Sequence, residues 1–200
     1  MDIKHIYAVL PVGRSRFFIV SGVKMEFKSY IMDSSAVNRS LTRISHEIVE
    51  RNPGETDLCI IGIKSRGTAL AQVLSEKVGT LGVNVETAFL DVTNYRDDLA
   101  QNIARTAKSS EPEISVEGKT VILVDDVLYT GRTARAAMEA VIAIGRPAKI
   151  QLAVLIDRGH RELPIVADYV GKNVPTARSE VIVVRIPPYD DETSVSIWQK

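Results

Sequence analysis

Val37, Leu41, Ile44 and Ile48 recur every three or four residues, while Arg39, Arg43, His46 and Glu50 fall on the opposite side. An α-helix with one buried face needs that period, so Ser34–Arg51 is predicted as an amphipathic helix. Asp33 or Ser34 can cap its start, and Asn52-Pro53-Gly54 stops it. The pattern then changes. Leu58–Ile63 is an unbroken apolar run of strand length, followed by the polar turn Lys64-Ser65-Arg66-Gly67 and a helix through Val78. Val83–Val92 reads as another strand and leads into the polar turn Asn94–Asp98. Leu99–Gly118, with weak periodicity, several charges and Pro112, is expected to be a long mobile loop of the kind kept for function. Thr120–Val124 is a buried strand, Thr133–Ile144 a helix ended by Gly145-Arg146-Pro147, and Ile150–Ile156 a further strand. Shorter segments lie around Tyr169 and at Val181–Ile186 and Val195–Trp198.

Apolar strands alternating with helices argue for an α/β fold whose mainly parallel sheet is covered on both faces. Ligands of such sheets sit at the carboxyl ends of the strands. Three polar turns occupy that position here.

The 200 residues suit one domain, and apolar (45%) and charged (25%) fractions are those of a globular chain. Acidic and basic residues number 25 each, so a chain-wide basic balance for nucleic acid is absent, although a local basic face is not excluded. Cys59, the sole cysteine, rules out an intrachain disulfide or a cysteine zinc site and reads as a buried inert thiol. These features fit a reducing, cytoplasmic setting. Met1–Val23 is fairly apolar, but Lys4, Arg14 and Arg16 interrupt it, which argues against a signal peptide. Residues 1–32 are therefore expected to be an extension outside the core. Residues 33–200 would form the domain, with a small hood at about 157–180.

The strongest chemical signal is Thr120-Val121-Ile122-Leu123-Val124-Asp125-Asp126-Val127-Leu128-Tyr129-Thr130-Gly131-Arg132-Thr133. An apolar strand delivers two adjacent carboxylates, and a short loop then places Thr130, Gly131 and Thr133 at the mouth of a helix. Backbone N–H groups there are unpaired and the helix dipole favours an anion, so a phosphate fits. Gly131 admits close backbone approach, and the threonine hydroxyls add donors. The carboxylates lie one step upstream, where they can accept hydrogen bonds from a vicinal diol. A phosphate joined to a ribose diol is a ribose 5-phosphate. The other phosphate loops, G-x-x-x-x-G-K-[ST] and G-x-G-x-x-G after a strand, are missing. A purely structural role would leave adjacent carboxylates at the end of a buried strand, which is costly unless something uses them.

Val121–Thr133 resembles the signature by which type I phosphoribosyltransferases bind phosphoribosyl pyrophosphate (PRPP). Much of Asp33–Lys172 also resembles one family among them, the PyrR family of pyrimidine operon attenuators that are also uracil phosphoribosyltransferases. That likeness rests on Leu41–Glu47, Gly62–Gly67, Asp91–Asp98, Gly145–Pro147, Tyr169–Thr176 and, most specifically, Asp157-Arg158-Gly159-His160-Arg161-Glu162-Leu163-Pro164. Met1–Lys28 contributes nothing to it. The resemblance implies a type I phosphoribosyltransferase fold, uracil and PRPP as substrates, UMP as product and effector, and Mg2+ bound with PRPP. Asp125 and Asp126 would hold the ribose hydroxyls or waters on the magnesium. Lys64, Ser65, Arg66 and Gly67 would contact pyrophosphate, with a cis peptide in that loop. Tyr95, Arg96, Asp97 and Asp98 would begin the flexible loop that closes over the reacting centre and excludes water. Asp157, Arg158, Gly159, His160 and Arg161 would form the hood over uracil.

The same resemblance assigns binding of pyrimidine-operon leader RNA to Thr42, Arg43, His46, Arg51, His160, Arg161 and Lys172, where the bland alternative is a solvated helix face. One departure bears on this: the family's Glu-Leu-Pro-Ile-Arg-Ala-Asp stands here as Glu162-Leu163-Pro164-Ile165-Val166-Ala167-Asp168, so a basic contact is lost. The family also implies a homodimer or higher homo-oligomer. The signature itself does not identify the base, so a purine, or an enzyme without RNA binding, stands as the alternative.

Overall fold

The computed structural model describes residues 17–20, 23–54, 57–92 and 114–200. In chain order they form β1 (Phe17–Val20), β2 (Val23–Met32), α1 (Ser34–Arg51), β3 (Asp57–Ile63), α2 (Arg66–Thr80) and β4 (Asn84–Leu90). Then follow β5 (Thr120–Leu128), α3 (Arg132–Ile144), β6 (Lys149–Asp157), β7 (Tyr169–Asn173), β8 (Glu180–Arg185) and β9 (Ser194–Gln199). Five strands make the main sheet in the order β4-β3-β5-β6-β7, with every neighbouring pair parallel.

The unbroken apolar runs are explained by two cores, one on each face. Leu58, Ile60, Ile122 and Val124 pack with the stripe of α1 and with Leu70 and Leu74 of α2. Cys59, Ile61, Val121 and Leu123 pack with Ala136, Ala140 and Val141 of α3 on the other side. Helix α1 has the predicted bounds, and its N-cap is Asp33, whose Oδ1 accepts from the Ala36 N–H at 2.7 Å. Replacing that cap removes the partner of an orphan amide. Asp33→Ala should cost about 1 kcal/mol, and a thermal melt should show it with activity unchanged.

The expected boundary at residue 32 does not hold. Strand β2 pairs with β9 in a second, antiparallel sheet of order β1-β2-β9-β8. Met25 and Met32 are buried, and Met32 joins the main core beside Ile197. Residues 23–32 are thus part of the fold, because β9 at the far end of the chain supplies their hydrogen-bonding partner. The expected hood span is also redrawn: β7 lies within it yet is an edge strand of the main sheet.

Strand β5 runs further than expected, to Leu128, because its ladder with β6 continues to the Leu128–Asp157 pair. Its ladder with β3 stops at the Gly62–Val124 pair. Asp125 and Asp126 therefore lie in the strand, but past the last residue paired with β3. That step in the carboxyl edge of the sheet positions the site.

Candidate active site

The two carboxylates differ in surroundings. Asp125 is buried, at 4% exposure, and its Oδ1 accepts from the Asp126 N–H at 2.9 Å. Asp126 is half-buried and accepts from the Val127 N–H at 2.8 Å. Each acid so satisfies the next amide of the strand end, which fixes both carboxylates. Beyond them, Gly131 adopts φ 92°, a conformation that glycine takes without strain, and turns the chain into α3. Neither a side-chain cap nor an acidic first-turn residue closes that helix mouth. Thr130 and Thr133 are half-buried there.

The turn Lys64–Gly67 follows β3, and its Lys64–Ser65 peptide is cis, as the resemblance implied. Gly67 sits directly against β5: a Cβ there would lie 2.5 Å from the Val124 carbonyl oxygen and 3.3 Å from the Asp125 Cα. The Lys64–Gly67 turn and the carboxylate pair are thereby brought together. Arg66 is engaged elsewhere, donating from Nε and Nη2 to the two oxygens of Asp190, both at 2.9 Å. Thr68 Oγ1 shares a hydrogen bond with the Tyr189 hydroxyl at 2.7 Å. Sequence reasoning missed Tyr189 and Asp190 as supports of this turn, for nothing local marks a partner 124 residues away.

Arg158 is 5% exposed, with its guanidinium 4.1 Å from the centroid of the Tyr129 ring. It donates to Thr176 Oγ1 at 3.0 Å and to the Glu180 carbonyl at 2.8 Å, and burial pulls its pKa below the usual arginine value. A buried arginine is tolerable only when paired and hydrogen-bonded, and here it ties the end of β6 to the start of β8. Gly159 and His160 both have positive φ, 78° and 59°, and the His160 ring meets the Thr176 carbonyl. Arg161 turns back and pairs with Asp157. Residues 157–161 thus form one bonded turn at the carboxyl end of β6, tied to the Leu128 and Tyr129 carbonyls.

The residues assigned to RNA fall in two places. Arg43 is exposed but tethered, donating to Glu47 and to the Val170 and Gly171 carbonyls, the last two at 2.8 Å. Arg51 donates to the Asp168 carbonyl at 2.8 Å and lies over the Tyr169 ring. Thr42 accepts from Lys77 at 2.9 Å, while His46 and Lys172 are exposed. The face of α1 and edge strand β7 thus carry five of the seven, with His160 and Arg161 on the turn after β6. Val166 is 79% exposed, so that position presents an apolar side chain to solvent. Tyr95, Arg96, Asp97 and Asp98 lie outside the described residues. Burial pushes the Cys59 thiol up to about 11, in keeping with an inert core cysteine. Among the described residues no helix is long and apolar enough to cross a membrane.

A five-stranded parallel sheet, a carboxylate pair at the end of its middle strand and an open helix mouth one loop later define a class. The chain belongs to the phosphoribosyltransferases, with the Phosphoribosyl transferase domain model matching residues 29–191, and its fold is the type I fold. Hypoxanthine phosphoribosyltransferase of Trypanosoma cruzi, in complex with the product IMP, superposes with a TM-score of 0.67 at 18% identity, over 86% of this chain and 91% of that one. A hypoxanthine-guanine phosphoribosyltransferase of Bacillus anthracis gives 0.66 at 19% identity, over 86% and 98%. At such identities these likenesses speak for the fold alone. Within the class the chain is a member of the PyrR family. It is 54% identical over 172 residues to the Bifunctional protein PyrR of Clostridioides difficile (85% of this chain, 97% of that protein). The Bacillus cereus (strain AH820) protein of the same name is 52% identical over 180 residues (88% and 100%).

Proposed function

We propose that the protein converts uracil and PRPP to UMP and diphosphate, and that it binds pyrimidine-operon leader RNA in response to UMP. The observation that carries the first activity is Asp125-Asp126 one loop ahead of the uncapped mouth of α3. Thr130–Thr133 hold the 5-phosphate, and Asp125 and Asp126 accept from the ribose hydroxyls. Lys64–Gly67 receive the departing diphosphate, chiefly through the turn's backbone and Lys64, since Arg66 is bonded to Asp190. Transfer passes through a sugar with positive character at its anomeric carbon, which carboxylates nearby stabilise electrostatically while the site holds the base in line.

Two adjacent carboxylates at the sheet edge fit a hydrated Mg2+ that arrives with PRPP. Among the described residues no group of three or more His, Cys, Asp or Glu forms a self-sufficient metal cage. When bound, the ion neutralises charge on the leaving diphosphate. The 157–161 turn covers the base, and uracil is read there by backbone groups as well as side chains.

The RNA reading is supported by the joint exposed face of α1 and β7, with Arg43, His46, Arg51 and Lys172. UMP favours RNA binding only insofar as it binds the RNA-competent state more tightly. Assembly is as a homodimer or larger homo-oligomer, in the cytoplasm. A base-exchange assay should show turnover with uracil and none with hypoxanthine or guanine; purine turnover would reject the base assignment. A gel shift with leader RNA should tighten on adding UMP. Its absence at low salt would leave the enzyme activity alone.

A further inference from the structure

The carbonyls of Leu128–Gly131 all have partners within the chain. Leu128 O accepts from the Arg158 N–H at 3.1 Å and from Arg161 Nη1 at 3.4 Å. Tyr129 O accepts from the same Nη1 at 2.9 Å. Thr130 O accepts from the Glu162 and Leu163 N–H groups at 2.9 and 3.1 Å, and Gly131 O accepts the first helical bond, from Arg135, at 2.9 Å. Four consecutive carbonyls are thereby held in bonds within the chain. A phosphate approaching the mouth of α3 meets donors, whereas a single carbonyl turned inward would present a negative dipole to it.

Arg161 is the side chain that reaches two of these carbonyls, those of Leu128 and Tyr129. Its Nε donates to the Ile165 carbonyl at 2.9 Å, its Nη1 also reaches the Gly159 carbonyl at 3.2 Å, and its Nη2 is paired with the Asp157 carboxylate. The left-handed pair Gly159-His160 reverses the chain so that these contacts close. Only a planar fork spans acceptors from Leu128 to Ile165 at once. We propose that Arg161 is a positioning residue for the 5-phosphate loop: it holds the Leu128 and Tyr129 carbonyls outward, so that the amides at the mouth of α3 face the phosphate. This role differs from the base and RNA contacts that resemblance assigned to Arg161, and it rests on reading Thr130–Thr133 as the phosphate cradle.

Calorimetric titration of the full chain with UMP and with uridine tests it, because the two ligands differ by the 5-phosphate alone. Arg161→Met should weaken UMP binding by about tenfold to a hundredfold, as expected when charge-assisted bonds are lost, and weaken uridine binding by clearly less, since the turn over the base also loses its bonds to Asp157 and Gly159. Arg161→Lys keeps the charge beside Asp157 but has one nitrogen, so it should lose UMP affinity in the same sense and to a smaller extent. If Arg161→Met does not fold, the decision is read on Arg161→Lys. Undiminished UMP affinity overturns the proposal, and so do equal losses for UMP and uridine, which would assign Arg161 to the base. Should the unaltered protein bind UMP no more tightly than uridine, the cradle reading fails instead.

Discussion

Changing Asp125 and Asp126 together to asparagine is expected to lower uracil phosphoribosyltransferase turnover by at least ~10³-fold, judged against the ~10²–10³ cost of losing one preorganised electrostatic partner. The fold should survive. Asparagine is isosteric with aspartate, and its side-chain oxygen can accept the bonds that now come from the Asp126 and Val127 amides. What the pair loses is charge. Asp125 lies at 4% exposure, where a carboxylate acts on a developing cation through a lower dielectric than water and needs no reorganisation. The measurements are single-turnover rate and the far-ultraviolet circular dichroism spectrum. A folded double variant that still turns over removes the carboxylates from the mechanism.

How far such residues could be read without coordinates depends on where their partners lie. Helix α1 was legible because its stripe, its cap at Asp33 and its stop at Asn52 are all local. So was the run from Val121 to Thr133, since strand, acids, glycine and helix start follow one another along the chain. The extension of β5 to Leu128 was not legible: polar Asp125-Asp126 ends an apolar run, yet the ladder with β6 carries the strand on. Strand β2 was missed for a related reason. Its partner β9 lies at the other end of the chain, and half-buried strands carry weak patterns of their own. The same holds within the site. Arg66 and Lys64 look alike as cations in a turn, but only the fold shows that Asp190 holds Arg66 with two bonds. Arg43 and Arg51 are assigned to RNA by the resemblance, and both prove to brace the carbonyls of β7 and the residue before it.

Gly67→Ala tests the other half of the site, the junction between the Lys64–Gly67 turn and β5. The added Cβ would lie 2.5 Å from Val124 O, a backbone atom held in the middle of the sheet, so α2 and its leading turn must move instead. Overpacking of this kind costs about 1–3 kcal/mol of stability. The functional loss should be larger than the stability loss suggests, because a shift of about 1 Å in positioned groups can cost ~10²-fold in rate. The expected result is a folded variant whose kcat/KM for PRPP falls by about that factor. Gly79 supplies the control on the same helix: a Cβ there meets nothing within 4 Å, so Gly79→Ala should preserve activity and leave stability the same or slightly raised. Equal behaviour of the two alanine variants would mean that the close approach of Gly67 to Asp125 does not set the geometry in which diphosphate leaves.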